Sequence, residues 1–240
     1  SGKGGVGKST FAVNLATALS SLNLKIGLLD ADIYGPSIPR MMGISKKPIM
    51  NENKKLVPLE NYGIKLMSIG FILDSEAPTI WRGPMVMKAL EQMFNGVEWG
   101  ELDYLIIDLP PGTGDAQLTL AQSSKLSGSI IISTPQDVAL TDARKGINMF
   151  KKVNVDILGI VENMSYFICY NCNQKHYIFS KDGVKKEAEE SKIPFLGEIP
   201  IYTNLRIQSD NGIPALIDNP DGEISKKFIS IANNLKKSLN

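Results

Sequence analysis

The sequence predicts an α/β fold, a doubly wound, mostly parallel sheet with helices on both faces. Three observations predict it. Apolar, β-rich runs alternate with stretches of helical period along the 240 residues. Two of those runs, Leu105-Ile106-Ile107 and Ile130-Ile131-Ile132, are apolar without alternation, as strands covered on both faces are. A glycine-rich loop over residues 2–9 opens directly into a helical pattern.

The elements follow in order. A helix is expected over 8–21, where Phe11, Leu15, Ala18, Leu19 and Leu22 fall at helical spacing. A strand over 25–30 ends in Asp30. Residues 40–62, rich in Lys, Asn and Pro, read as a surface excursion with a loose hairpin. Strands are expected over 64–70, 104–108, 129–134, 156–162 and 195–199, and helices over 84–95, 115–124, 137–152, 181–191 and 222–238. In the last helix Ile224, Phe228, Ile231, Leu235 and Leu239 form one apolar stripe, with Lys226, Lys227, Lys236 and Lys237 off it. A helix packed on the sheet is the expectation, and a basic amphipathic membrane anchor is the alternative.

Composition narrows the function classes. Hydrophobic residues are 43% and charged residues 21%, a globular balance. Lys plus Arg is 26 against 25 for Asp plus Glu, so the net charge of +1 provides no bulk field to draw nucleic acid or anionic lipid. The longest charge-free stretch, residues 9–24, is too short and too rich in Ser, Thr and Asn to cross a membrane. Two cysteines in one short segment make no disulfide framework, so a reducing compartment is expected: the cytoplasm, or alternatively a mitochondrial matrix or plastid stroma. One domain is expected over 1–240. The chain opens at Ser1 on the glycine-rich loop, and such loops follow a buried strand, so the strand feeding it is expected to be missing from these residues.

Gly2-Lys3-Gly4-Gly5-Val6-Gly7-Lys8-Ser9 matches G-x-x-x-x-G-K-[ST]. Gly4, Gly5, Val6 and Gly7 would wrap a polyphosphate in backbone amides, and the following helix adds a partial positive charge. Lys8 would reach the β- and γ-phosphates, Ser9 would hold Mg²⁺ and Thr10 would donate to the α-phosphate. Asp108, ending a buried strand, would hold the same Mg²⁺ through water. The amide of Gly112, in the loop Pro110-Pro111-Gly112-Thr113-Gly114-Asp115, can sense a γ-phosphate. Asp30 and Asp32, spaced i, i+2 at a strand end, are expected to point to one side, one helping the metal shell and one orienting water.

The second lysine, Lys3, makes Lys-Gly-Gly-Val-Gly-Lys-Ser-Thr similar to the deviant phosphate loop of the MinD/ParA group of ATPases. The segments DADIYGPSIP (30–39), WRGPM (81–85), DLPPGTGDAQ (108–117), STPQDV (133–138) and ENMSY (162–166), in this order, resemble the Mrp family of iron–sulfur cluster carrier ATPases. That resemblance implies a homodimer that binds ATP, hydrolyses it slowly and delivers a labile [4Fe–4S] cluster to client apoproteins. It implies that Lys3 crosses to the partner's phosphates, that Asp32 orients the attacking water and that Asn163 reads adenine. No nucleic-acid partner and no stable membrane association are expected.

Cys169-Tyr170-Asn171-Cys172 is a C-x₂-C, and thiolates so spaced can ligate one metal or one cluster edge. Two ligands are half of a site, and a two-fold dimer supplies four. The resemblance places its bridging cysteines here, although that family often has Pro-His between them where this chain has Tyr-Asn. Zinc and a thiol-redox pair stay open, since Cys169, Cys172 and His176 also spell C-x₂-C-x₃-H. His176 itself is expected to be structural rather than a ligand. A positioning ATPase on membrane or DNA, an ATP-gated zinc carrier and a phosphate-loop kinase are the rival functions. The scattered arginines Arg40, Arg82, Arg144 and Arg206 count against the kinase.

Overall fold

In the computed structural model, which describes residues 2–72, 83–114, 117–118, 120–121 and 126–239, the apolar runs form two sheets. Four strand pairs are parallel and two antiparallel among the described residues, and helices alternate with the strands. The chain divides into two compact units, one of Ser9–Pro110 with Leu205–Gly222 and one of Ser1–Lys8 with Pro111–Asn204 and Glu223–Asn240.

In the first of these, β1 (Ile26–Asp30) lies parallel to β3 (Ile64–Ser68) and to β4 (Tyr104–Asp108), and β2 (Leu59–Asn61) edges the sheet beside β3. The β2–β3 hairpin turns on Tyr62 and Gly63, both at positive φ, the geometry of a two-residue turn matched to strand twist. β2 lies in the stretch expected to be a surface excursion, and β3 is the strand expected to begin at residue 64. β1 is buried at all five positions, with Leu28 and Leu29 fully enclosed. The strand expected over 64–70 stops at Ser68, whose hydroxyl accepts the Gly70 amide and starts a 3₁₀ turn over Ile69–Phe71. Helix Lys8–Ser20 is buried from Phe11 to Leu19 on every side, including Asn14, which bonds the Thr10 carbonyl and the Ala215 amide.

In the other unit, β6 (Ile157–Ile168) is the central strand, parallel to β5 (Ser129–Ser133) and β8 (Phe195–Ile201) and antiparallel at its far end to β7 (Lys175–His176). β6 runs well past the expected end at Glu162 because its polar residues find partners. Glu162 accepts the Val184 amide at 2.8 Å at the start of helix Gly183–Ser191, and Ser165 donates to the Ile199 carbonyl. Burial pushes the Glu162 carboxyl up, and the Val184 amide opposes that shift. Helix Glu223–Leu239 lays Ile224, Phe228, Ile231 and Leu235 against β8 and β6, so its stripe is core in this unit. No helix among the described residues is long and apolar enough to cross a membrane.

Helix Asp137–Lys152 forms as expected, and Gly83–Asn95 starts one residue before its expected bound. Of the helix expected over 115–124, residues 117, 118, 120 and 121 are helical and the others, Asp115 among them, lie outside the described residues. Trp81 and Arg82 also lie outside them. Three short helices, Ile38–Met41, Thr203–Asn211 and Ala215–Asp218, carry too few periodic apolar residues to announce themselves in the sequence.

Candidate functional site

The phosphate loop begins the unit that carries the cysteines. Gly5 and Gly7 take φ of 79° and 85°, a left-handed geometry that side chains resist. A Cβ on Gly5 would meet nothing within 4 Å, so the loop is open there, and Gly4 and Gly5 are exposed. A Cβ on Gly7 would lie 2.4 Å from Asn163 Nδ2. That amide donates to the Val6 carbonyl at 2.8 Å, while Val6 is buried. A glycine at position 7 is therefore what lets β6 hold the loop through Asn163. At the other end, a Cβ on Gly2 would sit 2.2 Å from the Asp142 carbonyl, so the loop also presses on helix Asp137–Lys152. Lys3 and Lys8 are half-buried. The loop Pro111–Gly114 is fastened by buried Gln117, whose Nε2 donates to the Pro111 carbonyl at 2.9 Å, with Gly112 at φ 106°. Open glycine amides followed by a lysine at a helix start suit a polyphosphate.

Ser9 and Thr10 continue the chain from Lys8 into the first helical turn, in the unit that carries the acids. There Asp30 and Asp108 are register partners at the carboxyl ends of β1 and β4, 0% and 4% exposed. Asp30 accepts the Asp32 and Ile38 amides, each at 3.2 Å, and the Ser68 hydroxyl at 2.9 Å. Burial first, and the Asp108 charge second, push the Asp30 carboxyl from 3.8 up to about 7. Two buried carboxyls at paired strand ends suit a hard cation, which would relieve their repulsion. Asp32, 9% exposed, accepts the Tyr34 amide at 3.0 Å. β1 ends at Asp30, so the two-residue strand period does not carry on to Asp32, and the two carboxylates are held by different amides.

The cysteines sit on a hairpin knuckle at the end of β6. The Cys169 amide donates to the Gln174 carbonyl at 3.0 Å, and the Asn173 amide to the Cys169 carbonyl at 2.8 Å. Asn173 closes the turn at φ 55°. The amides of Cys172 and then Asn171 point at the Cys169 sulfur and lower its pKa, favouring the thiolate. Cys169 is half-buried and Cys172 exposed, both as free thiols. The ligand atoms of Cys169, Cys172 and His176 all lie within 4.8 Å of one another. Of the residues anticipated from sequence, Val6 and Gly7 meet Asn163, and Cys169 meets Cys172. Two neighbours of these groups, Ser68 on Asp30 and His176 beside the thiols, were not anticipated there. Ser68 gave no signal, because a serine ending an apolar strand is ordinary; His176 had its signal in the spacing C-x₂-C-x₃-H, which was outweighed by its isolation.

A family profile described as the NUBPL iron-transfer P-loop NTPase, of ParA type, matches residues 1–236. The chain is 54% identical over 240 residues to the Arabidopsis thaliana protein named iron-sulfur protein required for NADH dehydrogenase, mitochondrial, covering 100% of this chain and 77% of that one. It is 53% identical to the iron-sulfur cluster transfer protein NUBPL of Dictyostelium discoideum, covering 100% and 75%. It is 52% identical to an iron-sulfur cluster carrier protein of Aquifex aeolicus, covering 99% and 66%. Among solved structures, a nucleotide-binding protein of Archaeoglobus fulgidus in complex with ADP, with cobalt found in it, aligns at TM-score 0.80 and 40% identity over 95% of this chain and 88% of that one. The cell division ATPase MinD of Pyrococcus furiosus aligns at TM-score 0.73 and 22% identity over 99% and 96%, a likeness of fold.

Proposed function

This chain belongs to the NUBPL iron-transfer P-loop NTPase family, and from that premise we propose that it is an ATP-binding, slowly hydrolysing homodimeric carrier of a [4Fe–4S] cluster. The cluster is cargo, bridged by Cys169 and Cys172 of two copies and passed to client apoproteins. The observation that carries this reading is the course of β6. One strand meets the phosphate loop at Asn163 and, after an irregular turn at Met164, delivers Cys169 just past its end, so six residues, at most about 20 Å of chain, separate the nucleotide loop from the thiolates.

Each residue then has a task. The amides from Gly4 to Gly7 and the first turn at Lys8, Ser9 and Thr10 bind the phosphates of ATP, and Lys8 neutralises the β–γ bridge. Lys3 reaches the partner's nucleotide across the dimer. Mg²⁺, when bound, neutralises phosphate charge; Ser9 and, through water, Asp108 would hold it. Asp32 orients the attacking water, a positioning task that suits slow turnover. Gly112 senses the γ-phosphate. Asn163 keeps its Nδ2 on Val6 and offers Oδ1 to adenine. A change in the loop on nucleotide binding moves Asn163, and β6 passes that displacement to the cysteine knuckle.

The burial of the stripe in helix Glu223–Leu239 supports the carrier over a membrane-positioning ATPase, which needs that stripe free. The site of action is a reducing compartment, the cytoplasm or an organelle matrix. The test is transfer of radioactive iron from loaded protein to an apo-ferredoxin or apo-aconitase client under anaerobic conditions. Wild type is expected to transfer iron with a rate that responds to ATP. Lys8→Ala is expected to transfer without that response, and Cys169→Ser not to load. Transfer from Cys169→Ser at the wild-type rate would refute the proposal.

A further inference from the structure

His176 stands outside the carrier reading, yet the fold brings it to the thiols. β7 pairs antiparallel with β6 in the register Phe167 opposite His176 and Ile168 opposite Lys175. Residues directly opposite share a sheet face, and so do residues two apart along a strand. The imidazole of His176 therefore shares a face with Phe167, and Cys169, one residue past the end of β6, has its sulfur within 4.8 Å of an imidazole nitrogen. Lys175 takes the other face, where its ammonium covers the Tyr166 ring at 4.1 Å. The knuckle folds Cys172 back toward the same side, with its amide aimed at the Cys169 sulfur. Among the described residues, the His176 imidazole makes no hydrogen bond, ion pair or ring contact, and it is exposed. A histidine kept for packing would be enclosed or bonded.

We infer that Cys169, Cys172 and His176 of a single chain form a three-ligand site for one zinc-class divalent ion, with a fourth coordination position left open. Zinc takes sulfur at about 2.3 Å and imidazole nitrogen at about 2.0–2.1 Å, which places tetrahedral ligand atoms about 3.5–3.8 Å apart. The three atoms, already within 4.8 Å of one another, need to close by no more than about 1.3 Å on these bond lengths, and two are on exposed side chains free to turn. Two thiolates and an imidazole suit Zn²⁺ and Co²⁺. Three protein ligands leave the ion accessible, unlike the four of a closed structural site. The inference rests on the carrier reading for the cysteines as metal thiolates and goes beyond it in ligand, stoichiometry and consequence. An ion held this way occupies both thiolates of one chain, so a zinc-loaded chain cannot contribute them to a bridging cluster. Zinc and the cluster are then mutually exclusive cargoes, and His176 decides the affinity of the first without serving the second.

The test is anaerobic titration of the metal-free protein with Co²⁺, read by thiolate-to-cobalt charge-transfer and tetrahedral visible bands. Iron–sulfide reconstitution runs in parallel. Wild type is expected to bind one Co²⁺ per chain, displaced by Zn²⁺, and Zn²⁺ added first is expected to block cluster assembly. His176→Ala is expected to lose at least about 10-fold in Co²⁺ affinity, since loss of a mere supporting group costs that much. It should still assemble the cluster, and circular dichroism would report its fold. Co²⁺ bound at one per two chains, with affinity unchanged in His176→Ala, would overturn the inference and leave the carrier reading standing. So would a wild type that assembles a cluster and binds no Co²⁺. Co²⁺ bound through His176 without any cluster assembly would uphold the inference and sink the carrier reading. A protein that takes neither Co²⁺ nor cluster would sink both.

Discussion

Replacing Gly7 by alanine tests how the phosphate loop is held. A left-handed conformation costs an L residue about 1–2 kcal/mol, and Gly7 sits at φ 85°. The new methyl would also fall 2.4 Å from Asn163 Nδ2, well inside contact distance, and so drive that amide off the Val6 carbonyl. A lost hydrogen bond to a buried partner adds about 0.5–1.5 kcal/mol, so Gly7→Ala should cost roughly 2–3 kcal/mol in all. For a chain of this size that is roughly a 4–12 °C drop in Tm. The origin of the cost is separable by a double-mutant cycle. Asn163→Ala alone should cost about 0.5–1.5 kcal/mol. If Asn163 is what the methyl strikes, the double variant should be no less stable than Gly7→Ala alone, a coupling of about 1 kcal/mol or more. Thermal unfolding of the four proteins, with ATP affinity measured on each, reads the cycle. Costs that add within about 0.3 kcal/mol would refute the contact between β6 and the loop.

Three further outcomes follow from buried groups. The raised pKa of Asp30 means that the folded state binds its proton more tightly than the unfolded chain does. In Mg²⁺-free buffer the contribution of this group to stability should be intact below about pH 4 and fall as pH rises to about 7, by up to about 4 kcal/mol. Urea titrations across that window should lose most of this slope in Asp30→Asn, and an unchanged slope would show that another group carries it. Phe228, 1% exposed on the face of the last helix toward β8, should cost about 3–5 kcal/mol on truncation to alanine. Vesicle flotation of the wild type should find the protein unbound with and without ATP; ATP-dependent binding would mean that the helix leaves its sheet.

Much of the fold was legible because burial on both faces writes itself as uninterrupted apolar runs. Tyr104–Asp108 and Asp137–Lys152 have the bounds the pattern predicts. β6 was read short because Glu162 and Ser165 look like the end of a strand, and only their partners, Val184 and the Ile199 carbonyl, make them tolerable inside one. β7 is two residues long and exists through pairing with Phe167 and Ile168, a contact invisible to periodicity. At the site, glycine spacing announced the loop, but the link from Asn163 to Val6 joins residues 157 apart in sequence. The spacing of Asp30 and Asp32 assigns them two tasks on one side of a strand end; β1 stops at Asp30, which is fully buried and shifted, while Asp32 lies beyond the strand and accepts the Tyr34 amide. The sequence sets His176 apart as a lone histidine, and the hairpin register brings its imidazole within 4.8 Å of the two thiols, a proximity that spacing alone does not show.

The most direct test of the central claim is anaerobic reconstitution with iron and sulfide, followed by Mössbauer spectroscopy and iron counting on wild type and on Cys172→Ser. The carrier reading predicts about four irons per two chains in the wild type, with the spectrum of a four-iron cluster, because two chains supply the four thiolates such a cluster takes. It predicts no cluster in the variant. A wild type that assembles no cluster, or a Cys172→Ser protein that holds its iron as tightly as the wild type, would contradict it.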